Sequence, residues 1–431
     1  MKHTDNKKII ILIILVGILL RLIYVIYTPI TIRQHDMEEN VGHLAYIETI
    51  YKTGKLPEVN TWQFYQQPLH HIVAAIFLKI ITSLGVNLSV AEECLQFLTL
   101  IYSSLILIIT YFILKEIEIE DILKILIITV IAVHPSLILL SGSINNDILM
   151  TMFIFLDILY LIKWYKKSSI KNTIILAIYV ALGALTKISS TIIAIPIIYI
   201  FINKFFEEYF NKEKAKKEVI KEYLLKFIIF GTISLSLGLS FSIRNMVKFN
   251  QSIFYVPTPG KLTYCGDRKL LERLNIFSKE WSNVFCDVRN DCNIFAYLIK
   301  CSLFGEFKIN ILKNLIIERM LIIVNIVLIL ISLISLVNII CNKEKRTIII
   351  NMLIIFYFTE ILMFLYGCFS MPYACTMDFR YIIPTIFLGM IFITQNLKFE
   401  QKKQLNSITC VIIIFTILSI IFEMTRMKFC L

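Results

Sequence analysis

The chain has 431 residues, of which 58% are hydrophobic and only 17% charged, where a soluble domain runs nearer roughly 45–50% apolar and about 25% charged. So few charges exclude a disordered chain, ten cysteines spread over this length exclude a small disulfide framework, and the long apolar runs exclude a soluble enzyme. The formal charge of +12 is the mark of basic loops facing anionic lipid and does not point to nucleic acid.

In chain order, Lys2, Lys7 and Lys8 precede an apolar run from Ile9 to Tyr27 that only Arg21 interrupts. No small-residue cleavage site follows, so this reads as an uncleaved signal anchor. Basic clusters recur at 115–124, 163–171, 204–226, 343–346 and 398–403. Placing all of them inside demands an even number of spans between consecutive clusters. Three apolar stretches, 9–27, 68–84 and 94–114, precede the first of these clusters, so one must fail to cross. The 68–84 stretch opens on Pro68 and carries Lys79, and it is expected to lie along the interface. The remaining spans fall near 124–141, 148–162, 173–186, 188–203, 227–244, 316–340, 347–367, 381–396 and 407–422, which makes about eleven at the usual length per crossing. That topology puts the N-terminus inside and the C-terminus outside. It divides the chain into an N-terminal transmembrane half, 1–244, with an outer loop at 28–93, an outer segment at 245–315, and a C-terminal transmembrane half, 316–431.

Polar groups at membrane depth or at the outer ends of spans are where chemistry is expected, because their burial is costly. Asp36 follows the first span and precedes Val41, Leu44, Ile47 and Tyr51, spaced for one face of a surface helix. With Glu39 three residues on, Asp36 also fits a helix cap, and a capping acid at an outer helix start can still face a cleft. The run Phe64-Tyr65-Gln66-Gln67-Pro68-Leu69-His70-His71 stands at the foot of the non-spanning helix. His35, His43, His70 and His71 place four of the six histidines in this one loop. Their spacings match no standard zinc pattern, and whether a divalent metal is bound stays open. Ser141-Gly142-Ser143-Ile144-Asn145-Asn146-Asp147 forms a second outer loop, with a helix cap as its plainer reading. Lys187 interrupts a long apolar stretch where the chain is expected to turn, and snorkelling is its plainer account. Arg244-Asn245 and Asp378-Phe379-Arg380-Tyr381 mark two further outer boundaries. Cys265, Cys286, Cys292 and Cys301 lie in or beside the second outer segment, with Cys368 and Cys375 in a later outer turn. On an oxidising face some could pair, in a reducing one all are thiols, and spacing assigns no connectivity.

The topology thus gathers acids (Asp36, Asp147) and cations (Lys187, Arg244, Arg380) on one face. A carboxylate can take a proton from an attacking hydroxyl or amine while fixed cations stabilise a leaving phosphate, the inventory for displacing a lipid phosphate.

The order of these elements resembles the polytopic GT-C glycosyltransferases of the protein O-mannosyltransferase and aminoarabinose transferase type. The likeness rests on His35-Asp36 after the first span, Gln67-Pro68-Leu69-His70-His71, the 143–147 loop, the turn Leu185-Thr186-Lys187, Arg244-Asn245 and Arg380-Tyr381-Ile382-Ile383-Pro384. Together these cover about residues 9–395. The resemblance implies an all-α polytopic helix bundle with juxtamembrane helices in the first outer loop, a polyprenyl-phosphate-linked sugar as donor, and inversion at the anomeric carbon. By it, Asp36 maps to the catalytic base, Lys187, Arg244 and Arg380 to the donor phosphate, and His43, Gln67, His70, Asn146 and Asp147 to the acceptor or sugar. The expected function is transfer of the sugar to a lipid, glycan or protein acceptor on the outer face of the cell membrane, with no cofactor required. The alternatives are a polyprenyl-linked glycan flippase or transporter and a non-catalytic subunit of an envelope-assembly complex, neither of which needs a general base.

Overall fold

A computed structural model describes residues 2–30, 41–58, 62–211, 215–306, 315–397 and 402–428. The described chain is helical, with one isolated antiparallel bridge between Tyr264 and Tyr373. The helices are α1 (Lys2–Tyr27), α2 (His43–Thr53), α3 (Leu69–Ser83), α4 (Leu88–Glu93), α5 (Gln96–Glu116), α6 (Asp121–Val133), α7 (Pro135–Leu139), α8 (Asp147–Lys166) and α9 (Ile170–Thr186). They continue as α10 (Ala194–Tyr209), α11 (Lys216–Gly238), α12 (Ser240–Phe249), α13 (Leu270–Leu274), α14 (Ile294–Phe304), α15 (Ile316–Cys341), α16 (Ile348–Ser370), α17 (Pro384–Leu397) and α18 (Lys402–Lys428).

Seven helices among the described residues are long and apolar enough to cross a membrane, or nine if two bent pairs, α6 with α7 and α11 with α12, each count as one span. Two other expected spans, 173–186 and 381–396, correspond to α9 and α17, which are 17 and 14 residues long. The 68–84 stretch forms α3, of 15 residues, and α3, α9 and α17 alike fall short of the roughly 20 residues of a full crossing.

Helices in lipid gain little from hiding apolar surface and pack where small residues let backbones approach. At the α9–α11 contact, a Cβ on Gly238 would lie 3.1 Å from the Ala184 Cβ and 3.3 Å from the Ala181 Cα. At the α1–α6 contact, a Cβ on Gly17 would lie 2.8 Å from the Ala132 Cβ. That second approach brings Arg21 to a break in the bundle. Pro135 has no N–H and opens a new helix, so α6 stops at Val133 and the chain bends by 51°. The carbonyls of Ile131 and Ala132 lose the helical donors they would have had, and Arg21 replaces both, at 3.0 and 2.8 Å. Its Nε donates to Ser103 on α5 at 2.8 Å, so one buried guanidinium fastens three helices at the point where the backbone pattern fails.

The 245–306 stretch packs over the end of α16. The Cys265 N–H donates to the Pro372 carbonyl at 2.7 Å, and Arg273 donates to the Cys368 carbonyl at 2.8 Å. Asn293 caps α14 through its side-chain oxygen, while its amide nitrogen reaches the carbonyls of Glu272 and Asn275, both at 2.9 Å. These bonds set α14 beside the 374–381 turn that carries Arg380.

Candidate active site

The site forms where three helix-end turns meet: the start of α8, the junction of α9 with α10, and the 374–381 turn before α17. Asp147 is the first residue of α8, where exposed N–H groups favour an acid, and its own N–H donates to Asn145 Oδ1 at 3.1 Å. The helix breaks after Thr186, as the sequence leads one to expect, and Lys187 is extended before a short 3₁₀ turn at 188–193.

That junction is gripped from both sides. Asn146 donates to the Thr186 carbonyl at 2.8 Å and to Gln66 Oε1 at 2.7 Å, while Gln67 Oε1 accepts the Ile188 N–H at 3.0 Å. With its neighbours pinned, Lys187 meets Asp147 in a hydrogen-bonded ion pair. Arg380 approaches the other carboxylate oxygen at 3.6 Å and Asp378 at 3.3 Å. Between the two cations stands the ring of Tyr381, 4.8 Å from the Lys187 ammonium and 5.3 Å from the Arg380 guanidinium. Asp378 anchors the turn: its Oδ1 accepts the Arg380 N–H at 2.9 Å and the Cys301 thiol at 3.1 Å. The Lys187 and Arg380 side chains retain 15% and 13% exposure, against 3% for Asp147, so the cations rather than the acid border open space.

The histidines form a wall beside this cluster. His70 bonds the Ile144 carbonyl at 2.8 Å through Nε2, and burial lowers its pKa to about 4. His43 Nδ1 lies 3.0 Å from His71 Nε2, with the two rings stacked 5.3 Å apart and Tyr46 on the other side of His71 at 4.1 Å. Two rings bonded to one another cannot both aim those nitrogens at an ion, and no group of three His, Cys, Asp or Glu among the described residues is arranged to hold a metal.

Of the residues singled out from sequence, Asp147, Lys187 and Arg380 converge, with Asn146 and Gln67 as the struts that position Lys187 and His70 bonded to the loop leading to Asp147. Asp36 and its neighbours His35, Glu38 and Glu39 lie outside the described residues. Arg244 is engaged elsewhere: it donates to the Pro57 carbonyl at 2.9 Å and to Asn245 Oδ1 at 2.8 Å, beside the rings of Phe241 and Phe249. Gln66, Asp378, Tyr381 and Cys301 complete the site without having been singled out as site groups. Gln66 and Tyr381 adjoin chosen residues, and an acid two positions before an outer-boundary arginine is the signal that could have found Asp378.

A family model described as dolichyl-phosphate-mannose-protein mannosyltransferase matches residues 67–234, the stretch that contains Gln67, His70, Asn146, Asp147 and Lys187. No curated protein matches the sequence. Among solved structures, the archaeal oligosaccharyltransferase AglB from Archaeoglobus fulgidus, in complex with an inhibitory peptide and a dolichol-phosphate, aligns over 98% of this chain and 56% of its own length. The TM-score is 0.54 and the identity 12%. The chain has a GT-C-like fold. Another Archaeoglobus fulgidus oligosaccharyltransferase structure, a complex with Zn and sulfate, shares the GT-C fold over 94% of this chain and 52% of its own, at TM-score 0.50 and 14% identity. The S. cerevisiae protein O-mannosyltransferase Pmt1-Pmt2 complex bound to the sugar donor aligns over 63% and 38%, at TM-score 0.45 and 13% identity. The chain therefore spans about half the length, or less, of these GT-C structures.

Proposed function

We propose that this protein is a membrane glycosyltransferase that moves a sugar from a polyprenyl-phosphate-linked donor to an acceptor on the extracytoplasmic face. The observation that carries the reading is the meeting of Lys187 and Arg380, from turns 193 residues apart in number, around one carboxylate where helix ends come together. Support comes from the family match across 67–234 and the GT-C-like fold. The structures sharing that fold include one holding a dolichol-phosphate.

In this reading Asp36 takes the proton of the acceptor hydroxyl or amine as its lone pair attacks the anomeric carbon. The bond from that carbon to the phosphate oxygen breaks, and the electron pair leaves with the polyprenyl phosphate. Charge accumulates on that leaving oxygen, where Lys187 and Arg380 stabilise it more strongly than in the ground state. Asp147 holds the two cations apart from each other and orients them, and Asn146 and Gln67 keep the Lys187 turn in place. Arg244, engaged by Pro57, reaches the donor in this scheme only by exchanging that carbonyl for phosphate. The acceptor is a lipid, glycan or protein, and the sugar a hexose or pentose.

The test is Asp36→Asn in purified protein supplied with a panel of polyprenyl-phosphate sugars, following release of the lipid phosphate. Asn retains a capping oxygen but accepts no proton, so turnover is expected to fall about 10²–10⁴-fold with unfolding unchanged. Turnover within a few-fold of wild type would overturn the assignment of the base, and no release of lipid phosphate by the wild-type protein with any donor would overturn the enzyme reading in favour of a transporter or structural subunit.

A further inference from the structure

The 245–306 stretch is uneven. Leu262, Leu271 and Phe277 stand 77%, 82% and 91% exposed, while Cys265, Cys286, Cys292 and Cys301 are buried almost completely, the last three beside buried Val284, Ile294, Tyr297 and Phe304.

The four cysteines are buried in pairs. The side chains of Cys265 and Cys292 are hydrogen-bond partners, and the Cys265 sulfur also lies 3.7 Å from the carbonyl of Asp291, the residue next to Cys292. Cys286 and Cys301 are likewise partners. The Cys286 sulfur lies 3.5 Å from the Tyr297 carbonyl, one helical turn before Cys301 on α14. The two pairs interleave along the chain, so closing both would cross-link the loops on each side of α13 to α14.

We propose that this segment is a two-disulfide module, with Cys265 bonded to Cys292 and Cys286 bonded to Cys301. The nine described cysteines stand as separate side chains, with no S–S bond among them. The chemistry of the first pair is poised for exchange. Cys265 donates its proton toward Cys292, which raises the Cys265 thiol and lowers Cys292, and the Arg268 side chain bonds Cys292 as well. One thiolate of the pair displaces one sulfur of a small-molecule or protein disulfide donor, and the second thiol, losing its proton, then displaces the other. Two protein thiols become one disulfide while the donor disulfide is reduced to two thiols, and the second pair closes by the same exchange. The second bond has a consequence for the site: the Cys301 thiol that now donates to Asp378 loses its proton, leaving that carboxylate to Arg380.

The experiment is disulfide mapping of the full chain, purified without reductant. Lys261, Arg268, Lys279, Arg289 and Lys300 place each of the four cysteines on its own tryptic peptide. Thiols are blocked with N-ethylmaleimide in denaturant, before and after exposure of the folded protein to oxidised glutathione, and linked peptides are read by mass spectrometry. The expected result is a Cys265–Cys292 and a Cys286–Cys301 peptide pair, both lost on reduction. In Cys292→Ser, Cys265 alone is expected to become maleimide-labelled while Cys286–Cys301 persists. Four labelled thiols even after glutathione treatment, or any other pairing among the four, overturns the proposal. The mapping reads no activity, so its outcome is separate from that of the glycosyltransferase reading.

Discussion

Arg21 and the Lys187–Arg380 pair are cations that a hydropathy plot treats alike, as costly interruptions of apolar sequence. Their surroundings differ. Arg21 is fully buried, and each of its three nitrogens donates to a fixed neutral acceptor: Ser103, the carbonyls of Gly17 and Ala132, and the carbonyl of Ile131. The Ile131 and Ala132 carbonyls are open because Pro135 broke their helix, so the fully buried arginine repairs a defect in the bundle. Lys187 and Arg380 keep open flanks, and their partners are carboxylates and a tyrosine face, which are groups a phosphate can displace or share. A buried cation becomes scaffold when its donors are spent on backbone and becomes a candidate site when they are spent on exchangeable charge.

The largest effect is expected on the closed side. Arg21→Met strands the Ile131 and Ala132 carbonyls, and each buried group left without a partner costs about 1–3 kcal/mol. Thermal unfolding in nanodiscs should show that loss, with donor affinity per folded molecule unchanged. Arg21→Lys should recover only part of it, because a point ammonium with three donors cannot reach four diverging acceptors. Loss of donor affinity in a folded Arg21→Met protein would break the distinction between the two regions.

Lys187→Gln should invert the pattern. Removing one electrostatic donor from a developing anion costs about 10²–10³-fold in turnover, while Asp147 keeps Arg380 nearby, so unfolding should move little. Donor-dependence kinetics for wild type, Lys187→Gln and Lys187→Arg measure this. Unchanged donor affinity and turnover in the glutamine variant would return Lys187 to the scaffold class.

The smallest effect concerns pH at the histidine wall. His70 is held near 4 in the fold against 6.5 when free, so between those values the unfolded chain binds a proton that the folded chain does not. Stability therefore falls as pH drops from about 6.5 toward 4, by at most about 3 kcal/mol for this group. His70→Gln should flatten that limb of the melting-temperature profile without altering the profile above pH 7. An unchanged acid limb would mean that His70 does not carry it.

How far the site was legible follows from the same contrast. The break at Lys187 is visible in sequence because the apolar stretch 173–203 is too long for one crossing and the cation stands near its middle. The companionship of Asp147 and Lys187 is visible only as a shared face, since 40 positions and the two helices α8 and α9 separate them. Arg244 shows the limit: its boundary position equals that of Arg380, yet its guanidinium is engaged by Pro57 and Asn245.

By itself the sequence determined that the chain is a polytopic helical membrane protein and where its polar turns interrupt the apolar helices. Hydropathy and helix-breaking are local properties, set by a residue and its near neighbours and read directly along the chain. Which cation pairs with which acid, that Arg21 mends a proline break in α6, and which cysteines stand side by side were decided only by the tertiary structure. Coulombic and hydrogen-bonding partners are chosen across helices by packing, where small residues such as Gly17 and Gly238 set how closely backbones approach.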